Sequence, residues 1–350
     1  MAKQMYLGVG NVAHKSKKVY FGVNNIARKV KKMYIGDENN KARLFFSSGL
    51  GLIVGGQGHF GYYTDNGTSW TESNKITTVQ SGVTGWAAAY GNGTFVVVGG
   101  GSAHMYSKDG ISWTAISALD GKYLYDVAFC KDRFMAVGDS GISYYSFDGI
   151  SWTAMPTLGG DIKSVCYNAD NDIIVVCRDS DDDEYASFAR CARDAASWTR
   201  SVYGVSSNSR LPSSRSLIWD GTRYLMALQS SIYRNYSATL DSQWTEVSTI
   251  SGSYKINRMN LLANGRIGIV GVYGRCQILD SDLNVTDCEF THGTRELKDI
   301  IEYNGNVYIC AYSNPAEIYK LVGDAWQSIL SREYVSGNYV YFNYFCHGQE

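Results

Sequence analysis

The sequence predicts an all-β fold, and three observations carry that prediction. Glycine (37 residues) and tyrosine (27) are frequent while proline (3) is scarce, a balance suited to short half-buried strands joined by tight turns. No stretch repeats apolar residues at the 3.6-residue spacing of an amphipathic helix. A segment YSKDGISWT, Tyr106–Thr114, returns as YSFDGISWT at Tyr145–Thr153 and more loosely as YTDNGTSWT at Tyr63–Thr71. With 350 residues the chain can hold one large domain or two ordinary ones around a substantial core.

The first 43 residues stand apart. MYLGVGNVAHKSKK (Met5–Lys18), VYFGVNNIARKVKK (Val19–Lys32) and MYIGDENNKARLFF (Met33–Phe46) form a tandem repeat of fourteen residues, in which Tyr6, Tyr20 and Tyr34 are equivalent, as are Gly8, Gly22 and Gly36. Each unit reads as strand, turn, strand. VYFGV is β-prone, Asn24-Asn25 suits the positive φ of a tight hairpin, and IARKVKK alternates apolar with basic residues. One such hairpin is too small to be stable alone, so hairpins stacked within one chain or between chains are expected to bury their Tyr, Val and Ile faces together. Residues 1–43 hold ten Lys or Arg and two acids, Asp37 and Glu38. A charged outer face of an assembly element accounts for these cations better than nucleic acid does, because no exposed aromatics are interleaved with them. Over the whole chain acids and bases nearly cancel, to −1, which gives no global pull toward nucleic acid or an anionic membrane.

From about Ala42 a longer unit recurs: apolar strand, polar turn, second strand, Gly-rich turn, third strand, the D-G-x-S-W-T segment, fourth strand. Trp70, Trp113, Trp152, Trp198, Trp244 and Trp326 mark its register at intervals of 43, 39, 46, 46 and 82 residues. The last interval spans two periods, and the missing mark falls near Asp287-Cys288. Seven units of about 40–46 residues with four strands each are the signature of a β-propeller. Residues 1–43 are therefore read as hairpin repeats and 44–350 as a seven-bladed propeller, with eight blades as the alternative. The tail, residues 332–345, looks like the opening strands of a further unit. It is expected to close the ring against ARLFF and GLIVGG, or to be the remnant of an eighth blade.

The recurring turn resembles the Asp-box of the BNR-repeat propellers, S-x-D-x-G-x-x-W. Ser107, Asp109, Gly110 and Trp113 fit it, as do Ser146, Asp148, Gly149 and Trp152, each copy one residue short; the first copy carries Asn66 before Gly67 and Trp70. The residues have an architectural reading. Asp-Gly favours a tight turn, the acid accepts backbone N–H groups, and the tryptophan packs between strands. In propellers of this type the turn lies at the outer rim, away from the face that takes substrates, so no catalytic residue is assigned to Asp109 or Asp148. The leader resembles something else: units of the form Y-x-G-V-x-N-x-A-R-K-V-K-K, best matched by Val19–Lys32, are common in tail and tail-fibre proteins of bacteriophages. His14-Lys15-Ser16 and Asp37-Glu38 depart from that pattern. The resemblance implies a virion component, assembled in a bacterial cytoplasm, that meets other virion proteins through residues 1–43 and forms a homo-oligomer, a trimer by analogy.

Chemistry-bearing residues are sparse elsewhere. The cysteines (Cys130, Cys166, Cys177, Cys191, Cys276, Cys288, Cys310 and Cys346) form no C-x-x-C pair, which argues against zinc. They sit in apolar strand-like runs as buried thiols, with a Cys177–Cys191 disulfide as the alternative. Asp179, Asp181, Asp182 and Asp183 are a weak calcium candidate without the D-x-D-x-D-G spacing of a calcium loop. His14, His59, His104, His292 and His347 are isolated, and neither metal nor cofactor is expected. No run reaches transmembrane length, and the N-terminus lacks the apolar core of a signal peptide.

Two functions compete. Sialidases are Asp-box propellers, and likeness to them would imply an arginine triad, a tyrosine nucleophile and an acidic proton donor. Arg133, Arg215, Arg223, Arg258 and Arg275 show no triad spacing, and the Arg-Ile-Pro motif of those enzymes is absent. Binding has the better case. Propeller loops gather on one face, and tyrosine can stack on a sugar while bonding its hydroxyls. Tyr62, Tyr63, Tyr233, Tyr236, Tyr341 and Tyr344, in HFGYY, SIYRNYS and YFNYF, are the candidate ligand-binding aromatics. The expectation is a non-enzymatic phage tail or tail-fibre protein that adheres to a host-surface glycan or protein. A glycan hydrolase, or a scaffold binding only other virion proteins, is the alternative.

Overall fold

The computed structural model describes residues 6–9, 12–15, 20–23, 26–29, 32–36, 42–47, 51–57, 61–73, 84–179, 185–201, 204–206, 216–249, 255–286, 290, 295–333 and 341–347. They fall into two compact units that divide between Leu50 and Gly51. The first unit holds three antiparallel hairpins: Tyr6–Val9 with Val12–Lys15, Tyr20–Val23 with Ile26–Lys29, and Lys32–Gly36 with Ala42–Ser47. Tyr6 faces Lys15 and Tyr20 faces Lys29, the shared register that a tandem repeat of constant length should have. Asn24-Asn25 lie outside the described residues. The sequence boundary at 43/44 gives way to one at 50/51, because Ala42–Ser47 pairs back onto its own repeat instead of opening the larger unit.

In the second unit four-stranded antiparallel meanders follow one another. Sheet A comprises Leu52–Gln57, Gly61–Thr64 and Thr71–Glu72, and takes Tyr341–His347 from the far end of the chain. Sheet B runs Gly85–Gly91, Thr94–Gly101, Met105–Ser107, Trp113–Ala115, and sheet C Lys122–Cys130, Arg133–Gly138, Ser143–Ser146, Thr153–Ala154. Sheet D runs Ile162–Asn168, Ile173–Asp179, Tyr185–Ala192, Thr199–Arg200, and sheet E Leu217–Trp219, Tyr224–Leu228, Ser231–Asn235, Thr245–Thr249. Sheet F runs Ile256–Leu261, Ile267–Gly271, Cys276–Leu279, Val285–Thr286, and sheet G Glu296–Tyr303, Asn306–Tyr312, Ala316–Val322, Ala325–Arg332. In sheets B to G these four strands are neighbours in chain order; Thr94–Gly101 also pairs with Lys122–Cys130, joining B to C, and Val205–Ser206 adds a pairing to Tyr185–Ala192 in D. Closure is made by Tyr341–His347, whereas Arg332 ends the last strand of sheet G.

The second strand of each sheet is a continuous apolar run because sheets cover it on both faces. Phe95–Val98, Phe134–Val137 and Ile309–Ala311 are all buried. Each apolar cluster fills the space between two successive sheets. Val98 meets Leu124 between B and C, Val137 meets Val176 between C and D, and Phe188 meets Tyr224 between D and E. Ile232 and Ile269 join E to F, and Val270 and Ile309 join F to G. The circuit ends with Leu52, Tyr62 and Phe342 packed on Tyr308 and Ile318 between G and A, so burial of apolar surface ties the two ends of this unit together.

The recurring turns connect the third strand to the fourth. Ser107 Oγ donates to Asp109 Oδ1 (3.0 Å) and accepts the Gly110 N–H (2.8 Å). Asp109 Oδ1 also accepts the N–H groups of Ile111 (2.8 Å) and Ser112 (2.7 Å), and the Trp113 indole N–H returns to the Gly110 carbonyl (3.2 Å). Ser146, Asp148, Gly149 and Trp152 repeat every one of these bonds. In sheet A, Thr64 replaces the serine, and Asn66 Oδ1 accepts from Thr68 and Ser69 at 2.9 Å. Burial opposes ionisation of Asp109 and Asp148, but the N–H donors outweigh it and hold both carboxyls below their ordinary value. They stay charged at neutral pH, the opposite of what a proton donor needs.

The glycines do more than bend the chain. Gly67, Gly110 and Gly149 take φ of 73°, 75° and 76°, and each touches the preceding sheet. A Cβ on Gly110 would stand 2.8 Å from Tyr63 Cδ2 of sheet A, and one on Gly149 2.7 Å from Val96 Cγ2 of sheet B. On Gly67 it would be 2.1 Å from the Tyr308 hydroxyl of sheet G. The motif therefore joins sheets as well as strands. Gly110→Ala is expected to cost about 2–4 kcal/mol, backbone strain plus displaced neighbours. Gly93→Ala has the strain alone, at φ 70° with nothing within 4 Å of its Cβ, and should cost about 1 kcal/mol. Urea unfolding of the two variants checks this, and equal losses would mean that Gly110 serves only its turn.

Candidate binding face

An irregularity recurs near the start of the strand that lines the centre in every sheet except E. The ladder skips one residue between Gly85 and Ala87, Leu124 and Asp126, Ile162 and Ser164, Ile256 and Arg258, Leu297 and Asp299, and Phe342 and Tyr344. A bulge takes one residue out of pairing and re-aims its side chain. The skipped residues are Trp86, Tyr125, Lys163, Asn257, Lys298 and Asn343. In a meander, the start of the first strand shares its end with the connection from second to third strand. The Asp-box-like turns, from third to fourth, lie at the other end. The bulges and those turns therefore occupy opposite faces of the ring.

Aromatic rings and held charges fill the bulge face. Trp86 stacks on Tyr125 (centroids 5.4 Å apart, planes at 23°) and leans on Tyr123 (6.2 Å). Lys163 Nζ stands 4.2 Å from the Tyr125 centroid, 2.6 Å from Asp161 and 3.5 Å from Asp179. Burial works against the Asp161 carboxylate, but Lys163 and the Ser140 N–H keep its pKa below the ordinary value. Farther round, Tyr312 stacks on Tyr341 (4.1 Å, 20°), with Lys298 Nζ 4.8 Å from the Tyr312 centroid and 2.7 Å from Glu296. Glu296 also accepts the Asn257 amide (3.1 Å), and the Asn343 amide donates to the Gly85 carbonyl (3.2 Å).

Two tyrosines on this face are open to solvent: Tyr123 is 51% exposed and Tyr273 61%. Tyr273 tops the turn between the second and third strands of sheet F at φ 56°, a left-handed conformation that costs an ordinary residue about 1–2 kcal/mol. The corresponding turn of sheet C makes do with Ser140 at φ 53°. A bulky ring is not needed to make this turn.

One step below the bulges lies a polar ring. Asp126 Oδ2 accepts the Val165 N–H and the Ser164 hydroxyl, both at 3.0 Å. Ser164 Oγ accepts the Leu217 N–H (3.1 Å), Ser216 Oγ the Met259 N–H (2.6 Å), and Asp299 Oδ2 the Phe345 N–H (2.7 Å). The Asn260 amide donates to Asp299 Oδ1 (2.8 Å) and the Ile300 carbonyl (2.7 Å). Arg258 reaches Asp126 (3.4 Å) and Asp299 (3.7 Å) from a third sheet. Asp126, Ser164, Ser216, Arg258 and Asn260 border a cavity of about 400 Å³ that continues past Phe129, Tyr167, Trp219 and Leu261; Asp299 lies outside its lining. Burial pushes Asp299 up to about 6, against the pull of Arg258 and two backbone N–H groups.

The structure sorts the six tyrosines singled out in the sequence. Tyr62 and Tyr344 are buried, so their assignment as ligand contacts is corrected. Tyr62 packs edge-on to Phe342 and accepts from Arg332 Nε (2.7 Å), and the Tyr344 ring fills the space over Gly55 and Gly85. Tyr63 is half-buried against Gly110, and Tyr233 packs with the cluster between sheets D and E. Tyr236 is exposed beneath the Arg234 guanidinium (5.4 Å), but it follows the third strand of sheet E and so lies toward the turn face. Tyr341 alone of the six reaches the bulge face. Trp86, Tyr123, Tyr125, Tyr273 and Tyr312 were missed. Aligning the central strands as WAAAY, YDVAF, KSVCY, NRMNL and KDIIEY would have set the bulge residues in one column.

The arginines are not brought together. Arg133 lies over Tyr145 and Phe147, Arg223 pairs with Asp220 (2.9 Å), and Arg258 is held by two acids; Arg215 lies outside the described residues. Asp179 pairs with Lys163, while Asp181, Asp182 and Asp183 are not described. Among the described residues no group of His, Cys, Asp and Glu could hold a metal. The described cysteines are free and buried; Cys177 faces Phe188 and Cys191 faces Ile174 in the ladder, so the two are not cross-strand partners.

No family model and no curated protein matches the chain. Solved structures do. "YCF48 bound to D1 peptide" superposes with a TM-score of 0.55 at 12% identity, over 81% of this chain and 92% of that one. YCF48 from Cyanidioschyzon merolae gives 0.55 at 14% identity, over 71% and 86%. The streptogramin B lyase structure gives 0.57 at 9%, over 75% and 86%. The fold is a β-propeller. At such identities the likeness extends to the fold alone.

Within this propeller the charge balance of the centre makes a checkable demand. Arg258→Met removes the cation shared by two buried carboxyls and is expected to cost about 3–5 kcal/mol near pH 8. The Asp299 carboxyl sits near 6 when folded against about 4 unfolded. Its contribution is therefore full below about pH 4 and lost as pH rises through 6. The variant should be hurt less at pH 5 than at pH 8 in urea unfolding, and equal losses would show that Asp299 is not the strained acid.

Proposed function

We propose that this chain is a seven-bladed propeller carried in the tail or tail fibre of a phage virion, and that it attaches the particle to the host surface through its bulge face without enzymatic activity. Sheets A to G supply the blades, and the contacts of sheet G with the Gly67 turn and of Tyr341–His347 with Leu52–Gln57 support closure at that number. The observation that carries the binding reading is the bulge repeated in six central strands. It sets Trp86, Tyr125, Lys163, Asn257, Lys298 and Asn343 on one face, beside the exposed Tyr123 and Tyr273.

The place in the virion rests on the tandem hairpins of the first unit and their resemblance to phage tail repeats. That unit would contact other virion proteins and set the oligomer, a trimer by analogy. A host-surface protein is the second ligand class, since YCF48 has been solved with a D1 peptide on the same fold.

Immunogold microscopy of purified particles should place the chain on the tail exterior. Removing residues 1–50 should abolish incorporation while leaving a folded propeller. Full-length protein should compete with particles for adsorption to host cells, and Tyr123→Ala with Tyr312→Ala should weaken that competition about tenfold or more. Unchanged competition by the double variant would sink the bulge face as the attachment site.

A further inference from the structure

We infer that the ligand of the bulge face is a neutral, hydroxyl-rich glycan, an inference that rests on the binding reading above and adds its chemical class. Three features of the face select against anions. Lys163 is held between Asp161 and Asp179, and Lys298 by Glu296. Arg295, at the start of sheet G, is paired with Glu317. An anionic sugar would have to displace a carboxylate already in place, and would then meet that carboxylate as a like charge. At the Lys163 corner two acids surround one cation, so the local balance is negative. The residues after 43 also carry the acid excess that offsets the ten basic residues of the leader.

Cationic ligands are disfavoured for a different reason. Tyr125 and Tyr312 are the ring faces on which a cation would rest, and the chain's own lysines stand there at 4.2 and 4.8 Å.

What the face offers in surplus is hydrogen-bond acceptors and apolar rings. Asp161, Asp179 and Glu296 are acceptor-only when ionised, and charge-assisted bonds from hydroxyl donors are the strong ones. Tyr123 and Tyr273 add exposed rings at the edge of the arc, where the C–H face of a pyranose can stack. A ligand that is rich in O–H donors, uncharged, and apolar on one side of its ring fits all of these.

Calorimetric titration of the full chain with maltohexaose, mannohexaose and a β-1,4-galactohexaose, against colominic acid and oligogalacturonate, at 50 and 500 mM NaCl, tests the inference. At least one neutral hexasaccharide should bind, with an affinity that changes less than about twofold with salt. Tyr123→Ala and Tyr312→Ala should each weaken it about tenfold, with Tyr273→Ser as a further variant that the turn of sheet C shows to be tolerable. An anionic probe that binds tenfold tighter, with affinity collapsing in salt, would overturn the neutral class while leaving the face as the site if Tyr123→Ala weakens it. Binding in neither arm, with cell adhesion still lost in the tyrosine variants, would overturn the glycan class in favour of a protein ligand. Tyrosine variants that change neither glycan binding nor adhesion would overturn the inference and the proposed site together.

Discussion

The central strand of each blade has one edge with no further strand to pair with, and the ring depends on how the N–H groups of that edge are satisfied. Left unpaired in a buried place, each would cost about 1–3 kcal/mol. Val165, Leu217, Met259 and Phe345 instead donate to a side chain of the preceding blade: Asp126, Ser164, Ser216 and Asp299. Carbonyls of the same edge are met by side-chain donors: the Asn260 amide donates to the Ile300 carbonyl and the Asn343 amide to the Gly85 carbonyl, while Gly100 and Gly101 pair directly with Tyr123 and Lys122. Apolar clusters press the blades together, but they are non-directional. The polar ring fixes register.

That solution has an electrostatic cost, and the cost explains the centre. Two of the acceptors are carboxylates in a desolvated place, so a counter-charge is needed, and Arg258 supplies one for both. Burial still outweighs Arg258 and the two backbone N–H donors at Asp299, whose pKa is raised to about 6, with the neighbouring Asp126 adding to the rise. The arginine that might suggest a substrate carboxylate site is thus already committed to architecture. The bulges leave Tyr125, Lys163 and Lys298 out of the ladder immediately before Asp126, Ser164 and Asp299, so residues of the polar ring and residues of the proposed binding face are neighbours in sequence.

The Asp-box-like turns were legible in sequence because every bond in them is local. Ser107, Asp109, Gly110 and Trp113 complete their hydrogen bonds within seven residues, and substitution by Thr64 and Asn66 keeps the same acceptors. The spacing of the tryptophans marked the repeat for the same reason. What could not be read was strand parity. A bulge shifts the alternation by one, and a one-residue slip exchanges the buried and exposed faces. YFNYF looks like an aromatic cluster, yet Tyr341 stacks on Tyr312 at the bulge face while Tyr344 is buried over Gly55 and Gly85. ARLFF failed differently. It is β-prone in either context, and only its pairing with Lys32–Gly36 assigns it to the leader.

The two faces of the ring are under different constraints, and the contrast bears on where chemistry can vary. On the turn face, glycines are pressed against the preceding blade with no room for a Cβ, so composition there is tied to closure. On the bulge face, the connections between second and third strands need only their backbone shape. Ser140-Gly141 and Tyr273-Gly274 take the same left-handed pair of conformations with different side chains. A tyrosine tolerated at that cost and open to water is surface the fold does not require. The motif by which the ring is recognised and the surface by which it would act are separated by the height of a blade.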